Sequence, residues 1–160
     1  MTIQTGDRVP NTVLHIATED GPEQIDTDAF FAGRRVALFS VPGAFTPTCS
    51  VRHLPGFVDK AEAFKAKGVD EVACTAVNDA FVMRAWSESV EAGETVTMLA
   101  DGNAAFAKAL GLDTDSSAYG MGVRGRRYSM LVQDGVVEQL HVEEPGQFEV
   151  SSADYLLERL

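Results

Sequence analysis

The chain has only two cysteines, Cys49 and Cys74, in 160 residues. They form no CxxC pair, which excludes a single-motif dithiol, and two scattered thiols make a poor disulfide framework. Histidine is equally scarce. His15, His53 and His141 are widely separated, and no zinc-ligand spacing emerges. No run approaches the roughly 18 uninterrupted apolar residues of a membrane span. The opening Met-Thr-Ile-Gln-Thr-Gly-Asp lacks the basic and apolar regions of a signal peptide, so the expected setting is cytoplasmic. Basic residues are outnumbered, 13 Lys+Arg against 24 Asp+Glu, a net charge of −11. That balance opposes nucleic acid or an anionic membrane as partner. The acidic residues are dispersed and read as a solubilising surface.

What is present is ordinary in bulk: 45% hydrophobic and 23% charged residues, the balance of a globular domain with a sizeable core. There is no internal repeat and no long linker, so residues 1–160 are expected to form a single domain.

Residues 36–57 are the informative stretch. Val36–Val41 is an apolar run with the character of a buried strand, and Pro42-Gly43 ends it. Thr46-Pro47 then reads as a helix N-cap followed by proline at the first helical position. Cys49 falls at the third position, where unpaired N–H groups and the helix dipole favour an anion. Only the thiolate form of a cysteine is a nucleophile, so the layout suggests an activated sulfur at a strand-to-helix junction. A lone cysteine is more often a small buried hydrophobe. Here its neighbours are Thr, Pro, Thr and Ser, which argues against simple core packing.

Elsewhere, residues 1–12 are polar and expected to be irregular, and Thr12–Ala17 reads as a short strand. A turn is expected at Glu19–Pro22, then one helical turn at Asp26–Gly33. Pro55 predicts an interruption or kink near His53–Gly56. Beyond it, Leu54, Phe57, Val58, Ala61 and Phe64 share one helical stripe that ends at Gly68. Val69–Val77 reads as a strand. Asn78-Asp79 cap a helix, Ala80–Glu91, with Phe81, Val82, Ala85 and Trp86 on one broad face. Thr95–Ala100 reads as a strand and Ala104–Leu110 as a short helix, and 113–125 reads as a loop. Arg127–Gln133 and Val136–Val142 form a hairpin around Asp134-Gly135. A terminal helix is capped by Ser151 or Ser152. Strands alternating with helices, then a hairpin and a helix, fit an α/β layer fold with a mixed sheet.

The same residues carry a resemblance. Pro42-Gly43-Ala44-Phe45-Thr46-Pro47-Thr48-Cys49-Ser50 resembles the PxxxTxxC active-site motif of the peroxiredoxins. The longer PGAFTPTCSxxHLPGF, Pro42 to Phe57, is similar to the atypical type II, peroxiredoxin-five-like branch. Val77–Trp86 and Arg127–Gly135 extend the match over nearly the whole chain. The resemblance implies a thioredoxin-like fold, with a central mixed sheet flanked by helices. It implies a peroxidase that reduces hydrogen peroxide and small organic hydroperoxides through a sulfenic acid on Cys49. No haem, metal or flavin cofactor is implied, because sulfur carries the electrons.

Under that resemblance Thr46 offers its hydroxyl to the helix start and to peroxide, and Pro42 shields the sulfur. Arg127 matches the position of the family's active-site arginine. Without the resemblance, Arg124, Arg126 and Arg127 would read alike as a solvated basic loop, and Pro42 as a strand terminator. Phe45 and the Asp79–Trp86 region are placed near a homodimer contact, although Phe81 and Trp86 also suit an intramolecular core. Cys74, among small and apolar residues, reads as a buried inert thiol. Some type II members carry a second cysteine there. Others have a resolving cysteine near the C-terminus, but Gln147–Ala153 contains none. Recycling is therefore expected through glutathione and glutaredoxin in preference to thioredoxin. Two rival readings are a hydrolase built on Cys49 and His53, one helical turn apart, and a thioredoxin-fold chaperone or binding module in which Cys49 is incidental.

Overall fold

The apolar run at 36–41 becomes a central strand of a seven-stranded mixed sheet. The computed structural model describes residues 2–18 and 20–160. The strands are β1 (Val13–Thr18), β2 (Gly21–Asp26), β3 (Arg35–Ser40), β4 (Glu71–Ala76), β5 (Thr97–Ala100), β6 (Asp113–Asp115), β7 (Val123–Gly125), β8 (Tyr128–Gln133) and β9 (Val136–Val142). The helices are α1 (Thr27–Phe31), α2 (Leu54–Ala66), α3 (Ala80–Ser89), α4 (Ala105–Leu110) and α5 (Ala153–Leu157). The main sheet runs β2-β1-β5-β4-β3-β8-β9, with β3, β4 and β5 parallel and the other pairings antiparallel.

β3 is buried from Val36 through Ser40, as a strand covered on both faces must be. Its alternation divides the core. Ala37 and Phe39, with Val41 just beyond, face α2, α3 and α5 through Leu54, Phe57, Phe64, Met83, Trp86 and Leu156. Val36 and Leu38 face α1 and α4 through Phe31, Phe106 and Leu110. Each fully buried Leu or Phe contributes about 1.5–3 kcal/mol of hydrophobic stabilisation. The three layers, strand order and helix placement make this a thioredoxin-like α/β fold with a central mixed sheet flanked by helices.

Several expectations change in three dimensions. The irregularity expected before Pro55 is present as a π-helical turn and not as a break, so the helix that begins at Pro47 continues to Ala66. The π-helical turn at Cys49–His53, in which the Leu54 N–H reaches the Cys49 carbonyl, accommodates the proline. A proline ring clashes with the carbonyl four residues back in a regular α-helix, and a wider turn relieves that clash. The polar segment after β1 is a strand, β2, rather than only a turn; Glu19, within that expected turn, lies outside the described residues, as does Met1. The buried face of α3 is Ala80, Met83, Trp86 and Ser87, whereas Phe81 and Ala85 point to solvent. Residues 113–125 form a small two-stranded sheet, β6–β7, with a 3-10 turn between. The hairpin at Asp134-Gly135 is as expected: both residues have positive φ, +48° and +80°, as a type I′ turn requires.

Candidate active site

Cys49 is brought to the end of β3 by the Pro42–Thr46 loop and the helix that follows. The helix start is read correctly, since the Thr46 carbonyl accepts from the Ser50 N–H at 2.9 Å. The Thr46 hydroxyl does something else. It donates back to the Gly43 carbonyl at 2.7 Å, so it stiffens the loop ahead of the helix rather than capping it. In that geometry its oxygen remains an acceptor for a second donor. The same loop is tied to the start of α3, where Asn78 Oδ1 accepts from the Ala44 N–H at 3.0 Å. Asp79 is the side-chain cap of α3, accepting from Val82 N–H at 2.9 Å. Trp86, deep in the core, donates from Nε1 to Ser50 Oγ at 2.9 Å and so braces the turn that carries Cys49.

Arg127 stands one residue before β8. Its Nη2 donates to Cys49 Sγ at 3.1 Å and its Nη1 to His53 Nδ1 at 2.9 Å. The geometry separates three arginines that only the family resemblance told apart in the sequence. Arg124 donates from Nε to the Met121 carbonyl at 2.9 Å and from Nη1 to the Val77 carbonyl at 3.3 Å, which ties down the β6–β7 segment. Arg126 donates to the Glu143 carbonyl at 2.9 Å. A guanidinium proton aimed at sulfur stabilises negative charge there, and such charge-assisted bonds are about twice as strong as neutral ones.

His53 is fully buried between Phe39, Phe57 and Phe148, whose rings lie 4.8, 5.7 and 5.0 Å from its own. Its Nε2 lies 2.9 Å from the Ser151 carbonyl, an acceptor only, so Nε2 carries the proton and Nδ1 accepts from Arg127. Burial, reinforced by the Arg127 charge and opposed by the Ser151 bond, lowers its pKa to about 3. His53 is therefore neutral, with both ring nitrogens engaged. A Cys49–His53 hydrolase pair needs one of those nitrogens at the sulfur, and here Arg127 occupies that place.

Cys49 is fully buried, and above Arg127 opens a cavity of about 710 Å³ lined by Pro42, Thr48, Arg52, Tyr119, Arg127 and Phe148, among others. Pro42 and Arg127 thus share this wall. The Phe148 ring carries the Arg52 guanidinium 4.6 Å above its centre. Cys74 lies on β4, also fully buried and in the same core cluster as Cys49, and both thiols are free. Burial, then charge on Cys49, raises the Cys74 pKa well above the ordinary range, and Arg127 only partly opposes them. Among the described residues no group of three or more His, Cys, Asp or Glu is placed to hold a metal ion, and no helix is long and apolar enough to cross a membrane.

Sequence reasoning missed His53 as the brace of Arg127. It also missed Glu143, whose carboxylate gathers the backbone of residues 149–151. No side-chain motif marks Glu143, because its partners are mostly backbone groups.

Comparison with known proteins agrees with this geometry. The family model described as Redoxin matches residues 4–157. The chain is 51% identical over 164 residues to the chloroplastic Peroxiredoxin-2E-2 of Oryza sativa subsp. japonica, covering 99% of this chain and 73% of that protein. It is 45% identical to Peroxiredoxin-2B of Arabidopsis thaliana, covering 99% and 98% of the two chains. The structure of reduced Prx3 from Vibrio vulnificus in complex with H2O2 superposes with a TM-score of 0.95 at 49% identity, over 99% of each chain. A sulfur held by a guanidinium beneath a cavity, on this fold and with these relatives, is the setting for oxidation at cysteine. The chain belongs to the Redoxin family and, within it, to the type II, peroxiredoxin-five-like branch of the peroxiredoxins, thiol-based peroxidases that work through a cysteine and its sulfenic acid.

Proposed function

We propose that Cys49 is the sulfur that reduces peroxide. Its thiolate attacks one oxygen of ROOH; the S–O bond forms, the O–O bond breaks, and the departing RO⁻ takes a proton to leave as ROH or water. Cys49 is left as sulfenic acid, oxidised by two electrons. The observation that carries this reading is the 3.1 Å bond from Arg127 Nη2 to Cys49 Sγ. The guanidinium stays charged throughout, and lining the cavity, it also suits a role on the peroxide oxygens. We assign Thr46, whose donor is spent on Gly43, the role of accepting a peroxide proton, and Pro42, in the cavity wall, that of limiting access of water. Hydrogen peroxide and small organic hydroperoxides are the substrates we assign. The H2O2 complex of the Vibrio vulnificus relative supports the first, and the size of the cavity supports the second. Replacing Cys49 by serine should abolish peroxide consumption and leave the fold intact. Turnover surviving in that variant would overturn the assignment.

For recycling we favour glutathione with glutaredoxin over thioredoxin. Residues 147–153 contain no cysteine, and Cys74 is locked in a strand interior, so an external thiol must reach Cys49 through the cavity. The sulfenic acid and one glutathione give a mixed disulfide and water. A second thiol exchange then releases Cys49 and glutathione disulfide. Two free cysteines suit a reducing, cytoplasmic setting. We further propose a homodimer through Phe45 and the outer face of α3. Phe45 and Phe81 are 54% and 66% exposed, and apolar surface of that kind calls for a partner. Trp86, fully buried, takes no part in that contact.

A further inference from the structure

Glu143 is only 4% exposed, where a carboxylate is costly unless its oxygens are satisfied. Its Oε2 accepts from the N–H groups of Glu149, Val150 and Ser151 at 2.8, 2.9 and 2.8 Å, and from Ser151 Oγ at 2.7 Å. Burial pushes its carboxyl toward the neutral form, but these four bonds outweigh it and leave the pKa below the ordinary glutamate value. The peroxide step has no direct use for this group. What it fixes is one atom, the Ser151 carbonyl oxygen, which accepts from His53 Nε2 at 2.9 Å. A neutral imidazole donates from one nitrogen and accepts at the other. With Nε2 committed to Ser151, Nδ1 must accept, and Arg127 Nη1 meets it at 2.9 Å. The other guanidinium nitrogen is then held on Cys49 Sγ.

We infer that Glu143 is a positioning residue for the peroxide reaction: its carboxylate anchors the Ser151 carbonyl, which sets the His53 tautomer, which aims Arg127 at the Cys49 sulfur. This rests on reading Cys49 as the reacting sulfur. If the Ser151 carbonyl moved away, the Nδ1–H tautomer would become competitive and set a proton against the guanidinium, so Arg127 would lose one of its two anchors. Glutamine at 143 keeps the shape of the side chain. It replaces the charged acceptor of four bonds with a neutral amide oxygen, and hydrogen bonds to a charged group are the stronger kind. Arg126 is close by but bonds the Glu143 backbone carbonyl, not its carboxylate, so it cannot substitute.

The test combines kinetics with a direct view of the imidazole. Wild-type protein should show His53 by ¹⁵N NMR as neutral imidazole protonated at Nε2. Glu143→Gln and Glu143→Ala should lose that signature, and their second-order rate with hydrogen peroxide should fall by about 10- to 100-fold. A folded Glu143→Gln variant that reacts at the wild-type rate would overturn the inference, and so would rate loss with the His53 signature unchanged. Should neither Glu143 variant fold, the wild-type spectrum still decides, because an Nδ1–H tautomer there is incompatible with the relay. Peptide mapping of wild type after one equivalent of peroxide separates the two claims. Oxidation elsewhere than Cys49 overturns the site reading, whereas oxidation at Cys49 beside an indifferent Glu143→Gln overturns the relay alone.

Discussion

Arg127 Nη2 is directed at Cys49 Sγ across 3.1 Å, although the two residues stand 78 positions apart. The register of two antiparallel strands brings them together. Ser40 at the end of β3 pairs with Tyr128 at the start of β8. Arg127 is the next residue back, so it faces the loop and helix that leave β3. Cys49 is delivered from one side of that pairing and its cation from the other.

Arg127→Lys should therefore be a poor replacement. Lysine keeps the charge, but one ammonium cannot reproduce a planar fork that bonds Sγ and His53 Nδ1 together. We expect the second-order rate with peroxide to fall about 100-fold in Arg127→Lys, the cost of removing one preorganised donor, and further in Arg127→Ala. The single tryptophan, Trp86, bonds Ser50 in the Cys49 turn, so its fluorescence gives the stopped-flow signal. A lysine variant as fast as wild type would show that charge alone suffices.

His53 makes stability depend on pH. Its folded pKa, about 3, lies below the ordinary value of 6.5, so between those values the unfolded chain binds a proton that the folded chain refuses. Its stabilising effect is complete above pH 6.5 and is lost as pH falls from there toward 3. The slope is about 1.4 kcal/mol per pH unit. His141 and Glu143, also lowered, act in the same sense. The diagnostic quantity is therefore the difference between wild type and His53→Gln in denaturant titrations at pH 7 and pH 5. The glutamine variant should lose less stability on acidification, and parallel losses would mean that His53 is not buried neutral.

Local chemistry made the centre of this fold readable. Proline and glycine punctuate the Cys49 loop and Asp134-Gly135 closes its hairpin; both signals act within a few residues. What escaped was set by distance or exposure. β2 is an edge strand whose residues are mostly exposed, so no apolar alternation announces it. On α3, Phe81 and Met83 look equally suited to a core, and only the neighbouring elements determine that Met83 is buried and Phe81 is not. Arg127 could be told from Arg124 and Arg126 through family resemblance and, in the fold, through strand register, never through composition. His53 was visible as a residue one turn after Cys49, but its role depends on the carbonyl of Ser151, 98 residues away. A backbone acceptor leaves no mark in a sequence.

Phe45 joins backbone strain to the proposed dimer. It holds φ at +66° and is 54% exposed. A left-handed backbone costs a non-glycine residue about 1–2 kcal/mol. Phe45→Gly should relieve that cost and remove the apolar contact together. Sedimentation velocity should show wild type as a dimer at micromolar concentration and the variant dissociating at higher concentration. Diluted to monomer, the variant should melt at the higher temperature. A wild-type monomer at micromolar concentration, or unchanged association in the variant, would dismiss Phe45 as a contact residue.

Cys74 supplies the last prediction, because it is the remaining thiol in the chain. Its place in the core cluster with Cys49 invites the idea of an intramolecular bridge. Two features oppose it. β4 is paired on both sides, by β3 at Phe39 and by β5 at Met98, so moving Cys74 to another sulfur breaks ladder bonds in mid-sheet. Its pKa is also pushed well above the ordinary thiol range, chiefly by burial, so little of the attacking thiolate exists near neutral pH. Cys74→Ala should keep full peroxidase turnover with glutathione and glutaredoxin, at a cost of about 1 kcal/mol in stability for the lost buried volume. After one equivalent each of peroxide and glutathione, intact mass should show one glutathione adduct, mapped to Cys49, in wild type and Cys74→Ala alike. A Cys49–Cys74 disulfide as the main wild-type product, together with a Cys74→Ala variant that turns over only once, would show that the strand opens after oxidation and that the second cysteine resolves the first.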